Sequence, residues 1–195
     1  PLTYLESMEL TKIYSVAGLL DKDTSFITKR PFRSPSQNIS QVALLGGGAV
    51  PRPGEVSLAT GGVLFLDEFP EYGRNVIEGL RQPMEDKVIS ISRVKASYTF
   101  PARFMLVSAR NNCPCGFFPD RKRCRCTAGE IFSYQNRISH PIMDRIDIRL
   151  EVCPVSYKEL FEKDKGISSK QARGMIMLAR ERQRIRYKNE DFIFN

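Results

Sequence analysis

The sequence predicts an α/β fold built on a parallel sheet, and three stretches carry that prediction. Val63-Leu64-Phe65-Leu66 is a continuous apolar run bounded by Gly61-Gly62 and Asp67-Glu68, the pattern of a strand buried on both faces of a parallel sheet. A helical pattern follows from Gly73 to Met84, with Val76, Ile77, Leu80 and Met84 on one side and Pro83 near its end. The run Phe104 to Ala109 then reads as a second buried strand that ends in the polar trio Arg110-Asn111-Asn112.

Composition narrows the classes. The 195 residues are 42% apolar, enough for a packed core, and no apolar run approaches the roughly 20 residues that cross a bilayer. The net charge of +8 is unevenly spread, since residues 1–120 carry 13 basic and 12 acidic side chains while residues 121–195 carry 17 and 10. An excess of +7 in the last third suits an anionic partner such as nucleic acid, or a solvated basic surface. Five cysteines without a secretory signal favour a reducing compartment, so the chain is expected in the cytoplasm with no membrane attachment. Opening on Pro1 without an initiator Met, it reads as an internal piece of a longer protein.

The remaining elements follow in order. Residues 4–17 have the spacing of a helix packed on one face and ending near Gly18. Residues 26–62 are rich in Pro, Ser, Gly and Arg and read as a long loop-rich insert, including the run Gly46-Gly47-Gly48. Residues 88–100 alternate like two short strands around a turn holding Arg93 and Lys95, a hairpin with a basic tip. A Cys-rich loop spans 113–126, a mixed helical stretch reaches Asp144, and Ile146 to Val152 reads as another strand. Tyr157 to Phe161 and Ser168 to Tyr187 read as helices, the second capped by Ser168 or Ser169 with Ala172, Met175, Ile176 and Ala179 as its apolar face. Seven basic residues and one acid between Lys170 and Lys188 give that helix a strongly positive surface.

Two acids at the carboxyl end of a buried strand must emerge at the sheet edge, because the apolar interior offers an ionised group neither water nor a counter-charge. Ligands bind at that edge in open α/β sheets. Asp67 there suits Mg²⁺ held through its water shell, and Glu68 suits orienting or deprotonating an attacking water. Cys113, Cys115, Cys124 and Cys126 form C-x-C-x₈-C-x-C. Four thiolates so close can satisfy tetrahedral Zn²⁺, although the usual ligand spacing is C-x₂₋₄-C; reduced free thiols or a redox switch are the other readings. Arg121, Lys122, Arg123 and Arg125 interleave with the second pair and suit phosphate contacts or a lowered thiol pKa.

The order of motifs resembles the AAA+ ATPases of the magnesium chelatase group, and within it the ComM (YifB-type) subfamily. The stretches that carry the resemblance are Thr11 to Leu20, Arg30-Pro31-Phe32-Arg33-Ser34-Pro35, Gly46-Gly47-Gly48, Pro51 to Ala59, Gly62 to Phe69, Phe100 to Phe104, Cys113-Pro114-Cys115-Gly116 and Met143-Asp144-Arg145-Ile146-Asp147. The resemblance implies a three-layer AAA+ (P-loop NTPase-like) core with a parallel sheet over residues 1–155, truncated at the N-terminus, and the start of a helical lid over 156–195. It implies ATP and Mg²⁺ as cofactors, Asp67 and Glu68 as Walker B acids, Asn111 as the γ-phosphate or water sensor, and Arg145 as an arginine finger reaching a neighbouring subunit. It also implies a homo-oligomeric ring, a hexamer, in which the hairpin carrying Arg93 and Lys95 faces a translocated DNA strand. The function implied is an ATP-driven DNA helicase or branch-migration motor. A protein-remodelling or metal-chelatase motor is the second reading, and a zinc-organised nucleic-acid-binding module the third.

Two departures qualify the resemblance. A phosphate-cradling P-loop needs G-x-x-x-x-G-K-[ST], and this chain has no Gly-Lys dipeptide, so alone it is expected not to hydrolyse ATP. Ser36 and Gln37 stand where close relatives usually carry two His, and His140, the single His, is assigned no role.

Overall fold

The computed structural model describes residues 2–21, 25–93, 96–153, 155 and 166–187. The chain divides into two compact units, Pro1–Arg149 and Leu150–Asn195.

The first unit opens with α1 (Tyr4–Ala17), started by a capping box in which Thr3 and Glu6 satisfy each other's backbone N–H, and stopped by left-handed Gly18. Ser7, Leu10 and Ile13 are its buried side chains, and the Tyr14 hydroxyl donates to Leu58 O at 3.1 Å. Strand β1 (Phe32–Arg33) follows, then α2 (Gln41–Leu45), the strands β2 (Gly46–Gly47) and β3 (Arg52–Pro53), and α3 (Glu55–Leu58). The segment read as loop-rich therefore carries short elements, and it buries Leu44, Val56, Leu58 and Ala59. Arg33 grips Glu55 with two 2.6 Å bonds, fastening β1 to α3.

Strand β4 (Val63–Leu66) leads through a 3₁₀ turn (Phe69–Glu71) into α4 (Arg74–Gly79) and α5 (Arg81–Asp86). The single helix read over 73–84 is thus two, broken at Leu80 with Pro83 inside the second. The hairpin β5 (Val88–Ser92) and β6 (Ser97–Pro101) comes next, then β7 (Met105–Ser108), α6 (Ala128–Gln135) and α7 (His140–Met143). Among the described residues the main sheet has three parallel strands in the order β1-β4-β7, with β4 in the centre.

Burial corrects the sequence on one point. Strand β4 alternates, Leu64 and Leu66 fully buried and Val63 and Phe65 only half-buried, while Met105 of β7 is 63% exposed. One sheet face meets the core of Leu44, Val56, Phe69, Ile77, Leu80 and Ile142, and the other carries the stacked rings of Phe32 and Phe65, 6.0 Å apart. The expected burial on both faces is absent because, among the described residues, the core gathers on one side of the sheet.

Residues 146–152 form no strand. Ile148, Leu150 and Val152 are exposed, and the stretch finds no neighbouring strand among the described residues to take its backbone groups. In the second unit, α8 (Ser169–Arg186) is capped by Ser168 with Gln171, and its apolar residues are uncovered, Met175 at 62% and Ile176 at 57% exposure. The helix read over 157–161 lies outside the described residues. No helix among the described residues is long and apolar enough to cross a membrane.

Gly62 sits where β1 and β4 come together. A Cβ there would overlap the Pro31 carbonyl oxygen, which accepts the Val63 N–H at 2.9 Å, and the Pro31 ring. Gly62→Ala is expected to cost about 1–3 kcal/mol in urea unfolding, as overpacking does. Gly129→Ala, with nothing within 4 Å, is expected to stay within about 0.5 kcal/mol of the parent.

Candidate nucleotide site

The carboxyl end of β4 is built by three constraints. Ala109 donates its N–H to Leu66 O at 3.0 Å and accepts the Phe69 N–H at 2.9 Å, so β4 and β7 stay paired beyond their last strand residues. Phe69, 1% exposed, and Pro70 plug into the core immediately after the acids. Between these anchors Glu68 takes the left-handed conformation, φ 48° and ψ 47°, and its N–H is held by Asp67 Oδ1 at 2.9 Å. A non-glycine residue in that region is strained, and such strain persists where the surroundings over-determine it. Here the surroundings are the buried ring on one side and the paired strand on the other.

Asp67 and Glu68 are both exposed at this edge. Asp67 lies near enough to Tyr72 that, after burial, its charge is the second cause raising the Tyr72 pKa. Burial chiefly, and the charges of Glu71, Glu68 and Cys113, likewise push the Tyr134 hydroxyl up against the opposing effect of Arg137. Asn111 is exposed two residues past Ala109, so it leaves the sheet from the same edge as the two acids. Gly116 folds back over it, within 3.8 Å of the Asn111 side-chain amide for an added Cβ.

Sequence reasoning missed Gln37. Its side-chain amide donates to Glu68 Oε2, bringing the segment after β1 onto the second acid. The signal was available in the observation that Ser36 and Gln37 replace the two His of close relatives, but nothing in the spacing said which acid they meet. Tyr72 reinforces this approach by donating its hydroxyl to Pro35 O at 2.7 Å.

The other candidate residues lie elsewhere. Arg145 follows α7 with its side chain 19% exposed; it pairs with Glu85 of α5 and donates to Pro141 O. Its counter-ion is therefore Glu85 rather than the neighbouring Asp144 or Asp147. Arg93, at the turn of the β5–β6 hairpin, donates to Gly48 O at 2.9 Å and so braces the hairpin against the β2–β3 ribbon. Lys95 lies outside the described residues. The glycine run serves that ribbon, Gly46 and Gly47 pairing with Pro53 and Arg52, with all three glycines at positive φ.

The four loop cysteines converge, with their sulfurs all within 4.8 Å of one another. The Phe117 N–H, and then the hydrogen bonds from the other three thiols, pull Cys115 down to about 6 against its desolvation. Burial raises Cys124. Although the Cys115 N–H favours its ionised form, the Cys115 sulfur, desolvation and the other two thiols push Cys126 up to about 12. Arg121 and Arg123 stack over Phe118 and Phe117, 4.9 and 4.0 Å from the ring centroids, which leaves the thiols to their own backbone donors.

Residues 1–160 match the family described as "Magnesium chelatase, subunit ChlI". The chain belongs to the magnesium chelatase family. It is of the ComM/YifB type: it is 43% identical over 185 residues to competence protein ComM of Haemophilus influenzae, covering 93% of this chain and 36% of that protein. It is 46% identical over 157 residues to the uncharacterized protein YifB of Escherichia coli, 80% of this chain and 31% of that one, and 41% identical over 190 residues to YifB of Salmonella typhimurium, 96% and 37%. The chain thus spans about a third of the length of the curated relatives it matches.

Glu85 is 52% exposed while its partner Arg145 is mostly enclosed. Glu85→Gln is expected to lower unfolding stability by about 1 kcal/mol or less, the range for exposed pairs, and the difference should vanish at molar salt. A loss that salt leaves unchanged would mean that packing, not charge, joins these two helices.

Proposed function

We propose that this chain carries the metal-and-water half of an ATP-hydrolysing site in a ComM-type AAA+ motor. The observation that supports it best is Glu68, held in a left-handed conformation at the rim of a central parallel strand, beside Asp67 and on the same sheet edge as Asn111. The donor set fits Mg²⁺, whose hard charge prefers exposed carboxylate oxygens and retained waters. Asp67 would hold the ion, which when bound to ATP draws charge from the phosphate oxygens. Glu68 would take a proton from the attacking water or orient it, with Gln37 fixing one carboxylate oxygen. Asn111 would donate its amide to the same water or to the terminal phosphate. The phosphate cradle itself is not among these residues, because the chain has no Gly-Lys dipeptide.

Arg145 is our choice for the finger that enters a neighbouring subunit's site, since a guanidinium stays ionised and forks onto phosphate oxygens. In that role it would exchange Glu85 for phosphate when a second copy docks, in a ring that we take to be a hexamer. DNA is the proposed substrate of the motor, touched by the β5–β6 hairpin through Arg93 and Lys95. Protein remodelling is the competing reading, and charge decides between them. With Arg93→Glu in the full-length protein, DNA affinity and its salt dependence are expected to fall together; unchanged DNA binding would favour a protein substrate.

The catalytic assignment is tested in the full-length protein. Glu68→Gln is expected to reduce turnover at least about a hundred-fold, the scale of a lost general base, while nucleotide binding persists. Gln37→Ala should lower kcat about ten-fold with KM unchanged, as for loss of one hydrogen bond to a charged group. Turnover that survives Glu68→Gln would assign the base to another residue.

A further inference from the structure

The loop between β7 and α6 has little to hold it. Its apolar support is a small cluster of Cys113, Cys124 and Ile131 with Phe118 and Cys126 against it, separate from the main core. Yet its four thiols are drawn together from two C-x-C pairs. Cys113 Sγ stands 3.4 Å from Cys115 Sγ and 3.8 Å from Cys124 Sγ, and Cys115 Sγ stands 3.6 Å from Cys124 Sγ. A disulfide requires about 2.05 Å, so these are not bonded pairs. Four sulfurs placed about 2.3 Å from one tetrahedral zinc ion stand about 3.8 Å apart, which is close to the spacing found.

The backbone is arranged to suit such a cage. Left-handed Gly116 closes a turn with its N–H on Cys113 O at 3.0 Å, which lets the tight first C-x-C pair turn both sulfurs inward. The Phe118 N–H points at Cys113 Sγ, 3.3 Å away. Asp120 organises the second pair by accepting the Cys124 N–H at 2.8 Å and, through its side chain, the Lys122 N–H at 3.0 Å. N–H groups aimed at sulfur are the outer-shell partners that thiolate ligands use. Zinc held by four thiolates carries a charge of −2, and Arg121, Lys122, Arg123 and Arg125 stand beside or between Cys124 and Cys126 in sequence, a basic segment of the right sign to offset it.

We propose that Cys113, Cys115, Cys124 and Cys126 bind one Zn²⁺ as four thiolates, and that this ion fixes the loop from which Asn111 projects. Each thiol that is still protonated gives its proton to solvent on binding, with no change of oxidation state. The site has no open position, so zinc here is structural and takes no part in hydrolysis. Its effect reaches Asn111 through Gly116, and reaches the next residue through α6, whose Gln135 amide donates to Asn112 O at 3.1 Å. Only this positioning of Asn111 rests on the proposed ATP site; the metal site stands without it.

The test uses the whole chain, stripped by chelator under reducing conditions and titrated with Zn²⁺ or Co²⁺. We expect about one Zn²⁺ retained per chain, and with Co²⁺ the thiolate-to-metal absorption and tetrahedral d–d bands of a four-sulfur site. Cys115→Ser and Cys126→Ser should each weaken retention at least about ten-fold, and the Co²⁺ spectrum of the parent settles the site even where a variant fails to fold. Amide hydrogen exchange over residues 110–118 should slow on Zn²⁺ addition. Zinc well below one per chain with no thiolate–cobalt band overturns the metal site. Retention unchanged by both substitutions does so too. Zinc binding without slower exchange at residues 110–112 overturns the positioning of Asn111 alone, and none of these readouts depends on ATP turnover.

Discussion

The site depends on how β4 ends. An apolar strand in the middle of a sheet cannot carry charge within its length, so two consecutive acids must leave it together at its rim. What keeps them there is the closure with β7 through Ala109, followed at once by the burial of Phe69. The chain has one residue in which to turn from extended strand to buried ring, and Glu68 makes that turn in a conformation that costs a non-glycine residue on the order of 1–3 kcal/mol. Burying the Phe69 ring contributes about 1.5–3 kcal/mol, comparable to that strain. The carboxylate is thus aimed by the core rather than by its own preference.

The same closure joins chemistry that is distant in sequence. Asn111 shares the edge because Ala109 is the residue that completes the pairing. Gln37 reaches Glu68 from the segment after β1, which the Arg33–Glu55 pair and the Tyr72 hydroxyl hold in place. The Cys loop begins immediately beyond Asn111 and folds back over it. Three separate stretches therefore meet at one strand end.

Much of this was legible before the structure. The apolar run closed by Asp67-Glu68 and the run ending at Asn111 gave β4, β7 and the polar edge, because a parallel strand is written as a short unbroken apolar segment. Apolar spacing gave α1 and the Ser168 cap gave α8, whose box is local chemistry; the Thr3 box that starts α1 is equally local but was not among the signals read. Contacts across the chain were not legible. No spacing rule joins Gln37 to Glu68 or Arg145 to Glu85, since each depends on how separate elements pack. Residues 146–152 misled for the same reason: apolar alternation states a preference, and a strand forms only where a partner accepts its backbone. The one-sided burial of the sheet was hidden too, since a run such as Val63 to Leu66 reads the same whether one face or both are covered.

Whether Glu68 and Asn111 act on the same water can be measured directly, by a double-mutant cycle on ATP turnover in the full-length protein. If the two side chains serve one water, Glu68→Gln combined with Asn111→Ala should be about as slow as Glu68→Gln alone, because the second substitution removes help that the first has already made useless. Losses that simply multiply would contradict a shared site at the end of β4.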